Sequence, residues 1–269
     1  MSSNEDILVK AENVTKIFHP GEVNEVTAVK RVSLHIPRSQ FLVVIGGNGS
    51  GKSTLLNLVA GVFLPDEGRI VINGDDLTQV PEYRRASLLG RVFQDPLKGT
   101  SAGLTIEENF SLAASRGEFR GLGRALDRKL RNGIRDRLAL LGLGLEDRMK
   151  AKVGLLSGGQ RQAITIMMAV FKKPQVLLLD EHTAALDPRA SKKIMELTTQ
   201  IVREQRLTTI MVTHNLAHAL DQVDRTIMMS RGTIAHDLDA DTLQGMEVRD
   251  LLSLFWETQK SEDMVVQEQ

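Results

Sequence analysis

Phe41-Leu42-Val43-Val44-Ile45 runs directly into Gly46-Gly47-Asn48-Gly49-Ser50-Gly51-Lys52-Ser53-Thr54, and Leu55-Leu56-Asn57-Leu58-Val59-Ala60 follows. A short apolar run closed by glycines reads as a buried strand, and the apolar stretch after Thr54 reads as the start of a helix. Between them, the spacing from Gly46 to Gly51, Lys52 and Ser53 fits a phosphate loop, G-x-x-x-x-G-K-[ST]. The residue types suit an anion. Glycines let the backbone curl so that successive N–H groups converge on one point. The helix that begins near Gly51 adds the positive end of its dipole there. Lys52 can reach β- and γ-phosphates, and the Ser53 hydroxyl can ligate magnesium.

Outward from this stretch, the chain before it reads as two strands, at 7–18 and from Val26 to Ile36, separated by the breaker His19-Pro20-Gly21. After it come the turn Pro65-Asp66-Glu67-Gly68, a strand at 69–74 and a short strand at Arg91-Val92-Phe93-Gln94. From Asp95 to about residue 156 strand signals vanish, and helical runs are predicted at 105–115 and about 124–141. Within this block, 116–137 holds eight basic residues against Glu118, Asp127 and Asp136, with Arg124, Arg128, Arg131 and Arg135 at helical spacing. Such a run reads first as a solvated face and second as a surface facing anionic lipid headgroups. An apolar helix at 158–171, a buried strand Val176-Leu177-Leu178-Leu179 ending at Asp180-Glu181, an amphipathic helix at 189–205 and a strand at 208–213 ending at His214 follow. Two late strands, at Thr226 to Met229 and Gly232 to Ala235, lead to a helix at about 247–258 and a polar tail, Lys260 to Gln269, expected to be disordered. Strand–helix alternation implies an α/β fold with a mainly parallel sheet and ligands at the carboxyl ends of its strands.

Composition narrows the partners. The 269 residues carry 34 basic and 34 acidic side chains, so no global charge draws the chain to nucleic acid or lipid. Ten aromatic residues (one Trp, one Tyr, eight Phe) are too few for a base-stacking surface. With no cysteine, disulfides, thiolate metal sites and cysteine nucleophiles are excluded. No run of 18 apolar residues occurs, and the polar start, Met1 to Asp6, is not a signal peptide.

Two further stretches carry chemistry. Asp180, at the end of an apolar strand, can hold magnesium opposite Ser53, and Glu181 is free to orient or deprotonate an attacking water. Leu156-Ser157-Gly158-Gly159-Gln160 opens a helix, where unpaired N–H groups form a second anion site or the serine simply caps the helix.

With these motifs assembled, the chain resembles the ATP-binding subunit of an ABC transporter, over about Val9 to Ile234. Leu156 to Gln160 is similar to the family's signature, Val176 to Asp180 to its Walker B segment, and Glu181 to its catalytic glutamate. Gln94 in Val92-Phe93-Gln94-Asp95-Pro96 resembles the Q-loop, Ala185-Leu186-Asp187 the D-loop, and His214 in Val212-Thr213-His214-Asn215 the switch histidine. Phe18 sits where the family places an aromatic under adenine. The resemblance implies a P-loop NTPase fold with an N-terminal antiparallel β subdomain. It implies an ATPase domain at 7–236, with core 7–94 and 157–236, a helical insert at about 95–156, and a short C-terminal segment at 237–269.

It also implies a mechanism. Two copies pair head to tail. In one, Phe18, Gly46 to Thr54, Gln94, Asp180, Glu181 and His214 hold Mg–ATP, with Ser53, Gln94 and Asp180 around the Mg2+. In the other, Ser157, Gly158, Gly159 and Gln160 close on the γ-phosphate, beside the D-loop Asp187. The implied partners are an ATP-dependent second copy, an integral membrane permease at the cytoplasmic face of the membrane and, indirectly, a solute-binding protein. The loop from Asp95 to about Leu104 is the implied link to the permease, with Gly99 and Gly103 expected to make it mobile. A separate ATPase chain points to import. The competing reading is a soluble ABC ATPase acting as a scaffold or assembly factor. A binding protein that does not hydrolyse conflicts with the presence of both Glu181 and His214. Glu181-His182-Thr183-Ala184 departs from the usual Glu-Pro/Ala-Thr-Ser and resembles importer ATPases for amino-acid-like solutes, and Phe18 replaces the commoner Tyr. His19 lies beside Phe18; His35, His182, His218 and His236 receive no role from the sequence.

Overall fold

A computed structural model describes residues 7–117 and 126–267 of the chain. In chain order the elements are β1 (Ile7–Phe18), β2 (Val26–Pro37), β3 (Phe41–Gly46), α1 (Lys52–Ala60), β4 (Glu67–Ile72), β5 (Asp75–Asp76), α2 (Glu82–Arg85), β6 (Leu89–Val92), α3 (Ile106–Ala114) and α4 (Arg128–Ala139). They continue with α5 (Gly158–Val170), β7 (Val176–Asp180), α6 (Pro188–Gln205), β8 (Thr208–Val212), β9 (Arg225–Ser230), β10 (Thr233–Asp239), α7 (Ala240–Leu243) and α8 (Val248–Gln267). Two compact units result. One holds residues up to Glu82 together with those from Thr208 onward; the other is Tyr83–Leu207.

The first unit carries two sheets. β2, β1, β4 and β5 form an antiparallel sheet in that order. β3 is flanked by β8 and β9, both parallel to it, and β10 is antiparallel to β9. β3 is buried from Phe41 to Ile45, which fits a strand covered on both faces and explains its unbroken apolar run. Asp224, just before β9, accepts from the Phe41 amide at 2.6 Å. Arg225 forks onto Asp237 of β10 and donates to the His35 carbonyl at 2.8 Å. β3 therefore has its starting edge fixed by charged groups before it delivers the glycine loop.

In the second unit β6 and β7 run parallel, and α5 is buried at every residue from Gln162 to Val170. A helix apolar nearly all round belongs in a core. α6 is amphipathic, burying Ile194, Met195, Thr198, Ile201 and Val202. α3 opens with a capping box between Thr105 and Glu108.

The basic stretch divides by role. Arg131 of α4 grips Glu107 of α3 at 2.8 and 3.3 Å, and Arg137 lies 4.2 Å over the Phe171 ring and donates to its carbonyl. Arg128, Lys129 and Arg135 face solvent. Arg124, expected on the same face, lies outside the described residues. Two readings are corrected. The segment after Lys260 is helical through Gln267 rather than disordered, and β6 ends at Val92, so Gln94 stands in the following loop.

Candidate functional site: a phosphate loop and an acidic strand end

In the first unit, β3 ends at Gly46 and α1 begins at Lys52. Gly51 caps α1 with φ 100°, and a Cβ there would lie 2.3 Å from the Ala28 carbonyl oxygen. Glycine is required at this point by both the left-handed backbone and the close approach of β2. Lys52 is 7% exposed and curls back along the loop, donating to the carbonyls of Gly46 at 3.0 Å and Gly47 at 2.7 Å. Those bonds hold the ammonium against the backbone of the glycine loop. Ser50 is buried, while Asn48, Gly49 and Ser53 are exposed and Thr54 is half-buried. Beside the loop, a cavity of about 220 Å³ is lined by Gly47–Ser50, by Met228–Arg231 and by Phe255 and Thr258 of α8.

Register brings His214 to the same end of the sheet. Val44 of β3 pairs with Val212 of β8, and the Thr213 amide donates to the Val44 carbonyl at 3.2 Å. His214 thus leaves β8 where β3 enters the glycine loop, and its side chain is exposed. Asn215 caps the 3-10 turn Leu216–Ala219 by accepting from the Ala217 amide at 3.0 Å. Its Nδ2 lies 3.3 Å from His218 Nε2. Burial pushes the His218 pKa down; Asp221 pulls it up and His214 adds to the lowering.

Phe18 closes β1, half-buried, with the Phe63 ring set edge-on at a centroid distance of 5.1 Å. Asp66 anchors this corner. Its carboxylate accepts from the Ile17 amide at 2.6 Å and pairs with Lys16 at 2.9 Å. Burial works to raise the Asp66 pKa, but these two donors hold it below the ordinary value.

The second unit carries the acidic half. β6 and β7 are in parallel register, Val92 opposite Leu179, so Gln94, Asp180 and Glu181 emerge at one end. Gln94 is exposed; Asp180 and Glu181 are half-buried. Arg91 lies 3.9 Å from the Asp180 carboxylate and stacks over the Phe93 ring at 4.6 Å. Glu181 has φ 44°, which turns the chain sharply off the strand.

The serine of the signature stretch caps its helix. Ser157 Oγ accepts from the Gln160 amide at 3.3 Å, and the Gln160 side chain accepts from the Ser157 amide at 3.2 Å. Arg161 braces the preceding segment by donating to the carbonyls of Val153, Gly154 and Leu156. The glycines touch the D-loop stretch: a Cβ at Gly158 would sit 3.3 Å from Leu186. Asp187 is the N-cap of α6, its Oδ1 accepting from the amides of Arg189 and Ala190.

After Gln94 the chain is more ordered than its glycines suggested. Asp95 accepts from the Leu97 amide, and the buried Asn109 exchanges bonds with Ser101. Gly99 is there for close packing, since a Cβ would meet Thr165 Cγ2 at 2.8 Å. A second cavity, about 400 Å³, lies here, with Lys98, Asn109, Leu112, Arg116 and Met168 in its walls.

Each unit by itself carries oxygen donors of the kind a hard divalent cation such as Mg2+ takes: the Ser53 hydroxyl in the first, and the Gln94 amide and Asp180 carboxylate in the second. Among the described residues no cluster of three His, Cys, Asp or Glu could hold a metal ion. Sequence reasoning did not reach Asp66, Phe63, Arg91, Arg161 or Asn109, whose roles depend on contacts distant in the chain.

A glycine loop closing on a buried lysine at the end of a parallel strand, and an Asp-Glu pair ending another, define a P-loop NTPase. The ABC transporter family profile matches residues 29–184, more than half of the chain, and the chain belongs to that family as an ATP-hydrolysing subunit. It is 41% identical over 250 residues to the tyrosine transport ATP-binding protein of Clostridioides difficile (strain R20291), covering 92% of this chain and 98% of that one. It is 32% identical over 245 residues to the methionine import ATP-binding protein MetN of Escherichia coli (strain K12), covering 88% of this chain and 66% of MetN. Among solved structures, the dimeric ATP-binding cassette MJ0796 bound to ADP and Pi matches with TM-score 0.74 and 31% identity, over 89% of this chain and all of that one. The ADP form of the cassette MJ1267 shares the fold, with TM-score 0.75 at 24% identity.

Proposed function

We propose that this subunit hydrolyses Mg–ATP between two copies of itself to drive import of an amino-acid-like solute through a membrane permease. The observation that carries the chemistry is the buried Lys52 held to the carbonyls of Gly46 and Gly47 in the glycine loop at the end of β3. In this reading Phe18 stacks on adenine, and the amides of Gly46 to Thr54 with Lys52 take the β- and γ-phosphates. Ser53, Gln94 and Asp180 would hold a Mg2+ ion, which when bound would offset the negative charge of the phosphates. Glu181 accepts the proton of the attacking water as the new bond to the γ-phosphorus forms. The bond to the β,γ-bridging oxygen breaks, leaving ADP and phosphate. His214 hydrogen-bonds the γ-phosphate. Ser157, Gly158, Gly159 and Gln160 of a second copy close over that phosphate, with Asp187 alongside; the dimeric state of MJ0796 supports this pairing.

The helical stretch of about 95–156 is the insert that meets the permease at the cytoplasmic face of the membrane. Its support is the second cavity, lined by the exposed Leu112 together with Lys98 and Arg116. No helix among the described residues is long and apolar enough to cross a membrane. The names of the tyrosine and methionine relatives favour amino-acid cargo and import over a scaffold role. A solute-binding protein is the expected third component.

Glu181→Gln tests the reading. Turnover is expected to fall by at least ~100-fold, while ATP still drives dimerisation in size-exclusion chromatography. Parent-like hydrolysis by this variant would remove Glu181 from the base role. Affinity purification from membranes should recover a multi-spanning protein; a complex free of any such protein would favour the scaffold alternative.

A further inference from the structure

Glu181 is held from behind. Its left-handed backbone, φ 44°, is strained for a residue with a Cβ, so the surroundings must maintain it. The next residue, His182, is 2% exposed and places Nε2 3.1 Å from Thr198 Oγ1 on α6. Thr198 is fully buried, and its hydroxyl donates to the Ile194 carbonyl at 2.7 Å. With its one proton directed at the Ile194 carbonyl, the Thr198 oxygen serves as the acceptor when the imidazole carries its proton on Nε2.

The bond spans the loop 181–187. That loop is otherwise folded by short-range turns, the Ala184 amide to the Glu181 carbonyl at 2.9 Å and the Leu186 amide to the Thr183 carbonyl at 3.2 Å. At its far end Asp187 caps the start of α6. His182 reaches past this cap to the third turn of the helix. Glu181 and Asp187 thus sit on one loop pinned to α6 at its first turn and again in its interior. Proline or alanine at position 182 would have no side-chain donor for such a bond.

We infer that His182 is a positioning residue that sets the Glu181 carboxylate for water activation through its buried hydrogen bond to Thr198. The inference rests on the reading of Glu181 as the base.

Three variants of the full chain test it, assayed for steady-state ATP hydrolysis and thermal melting beside Glu181→Gln. A displacement of about an ångström in a catalytic group costs on the order of 100-fold in rate. His182→Leu and Thr198→Val are each expected to lower kcat by roughly 10- to 100-fold, with KM for ATP within about twofold of the parent. His182→Gln places an amide N–H where Nε2 stood and should bring kcat back to within about threefold of the parent. A residue that only stabilises the fold would lower the melting temperature without this split between kcat and KM. Parent-like kcat in a folded Thr198→Val protein overturns the inference, as does a His182→Gln variant as slow as His182→Leu. Should His182→Leu not fold, Thr198→Val and His182→Gln decide. Glu181→Gln separates the two levels: if it still turns over, the base assignment fails; if it is inactive while Thr198→Val is unaffected, only the positioning role fails.

Discussion

Asp66 offers a sharp test of the proposed stacking of Phe18 on adenine, because one carboxylate holds both the strand and the lysine beside Phe18. Asp66→Ala removes the acceptor for the Ile17 amide at 2.6 Å and the partner of Lys16 at 2.9 Å. A hydrogen bond to a charged acceptor contributes about 1.5–3 kcal/mol. The ion pair is partly solvated, with side-chain exposures of 17% and 40%, and is discounted to about 0.2–1 kcal/mol. The alanine variant should therefore lose about 2–4 kcal/mol of stability. Asp66→Asn keeps an acceptor for the amide and gives up the charge, so about 1 kcal/mol is expected. Both would loosen the end of β1, where Phe18 leans on Phe63. Base–aromatic stacking contributes about 1–3 kcal/mol, so partial loosening should weaken ATP binding by about three- to tenfold in the alanine variant. Urea denaturation and titration with a fluorescent ATP analogue measure the two effects. The carboxyl is held below its ordinary value near 3.8, so the folded state binds its proton less readily than the unfolded state. This contribution is present above that value and disappears as pH falls below it, and acid should destabilise the parent more steeply than Asp66→Asn. An alanine variant with parent-like urea midpoint and ATP affinity would refute the reasoning.

Gly51→Ala drives a Cβ into the Ala28 carbonyl from a positive-φ backbone, and ATP affinity in the same titration should drop by at least ~10-fold; parent-like binding would contradict the cap geometry. Arg131→Ala leaves Glu107 without its two-pronged partner and should lower the melting temperature by about 2–4 °C, with Glu107→Ala in the same chain adding little; strict additivity would mean a merely solvated face. His218 has its pKa lowered by burial, so the unfolded chain takes up this proton first. Stability from this site is present above the ordinary value of 6.5 and lost as pH falls, and the stability–pH slope between about pH 7.5 and 5.5 should flatten in His218→Leu; an unchanged slope would show that another group titrates there.

Local chemistry made most of the fold legible. The glycine loop announces itself because phosphate binding needs contiguous residues, and β3, α1 and β7 follow from unbroken apolar runs of the right length. α6 was visible in its stripe of Ile194 and Ile201. Short elements escaped: β5 has two residues, and α2 and α7 have four each, below the length at which a period can be seen. The helix past Lys260 escaped because its polar composition carries no stripe. The long-range braces were out of reach for a different reason. Asp66 meets Ile17 across 49 positions and Arg131 meets Glu107 across 24, and no spacing rule in one sequence predicts such pairs. Phe18 was found through family resemblance, but not the Phe63 ring that orients it.

The serine that opens α5 is constrained from two directions. Its oxygen finishes a helix, and in the proposed function its hydroxyl also meets a terminal phosphate of a second copy's nucleotide. Aspartate would finish the helix equally well yet repel a triphosphate, and glycine would admit the phosphate and leave an amide without its side-chain cap. Few side chains satisfy both demands, so position 157 has almost no room to drift, and damage there will always strike architecture and chemistry at once.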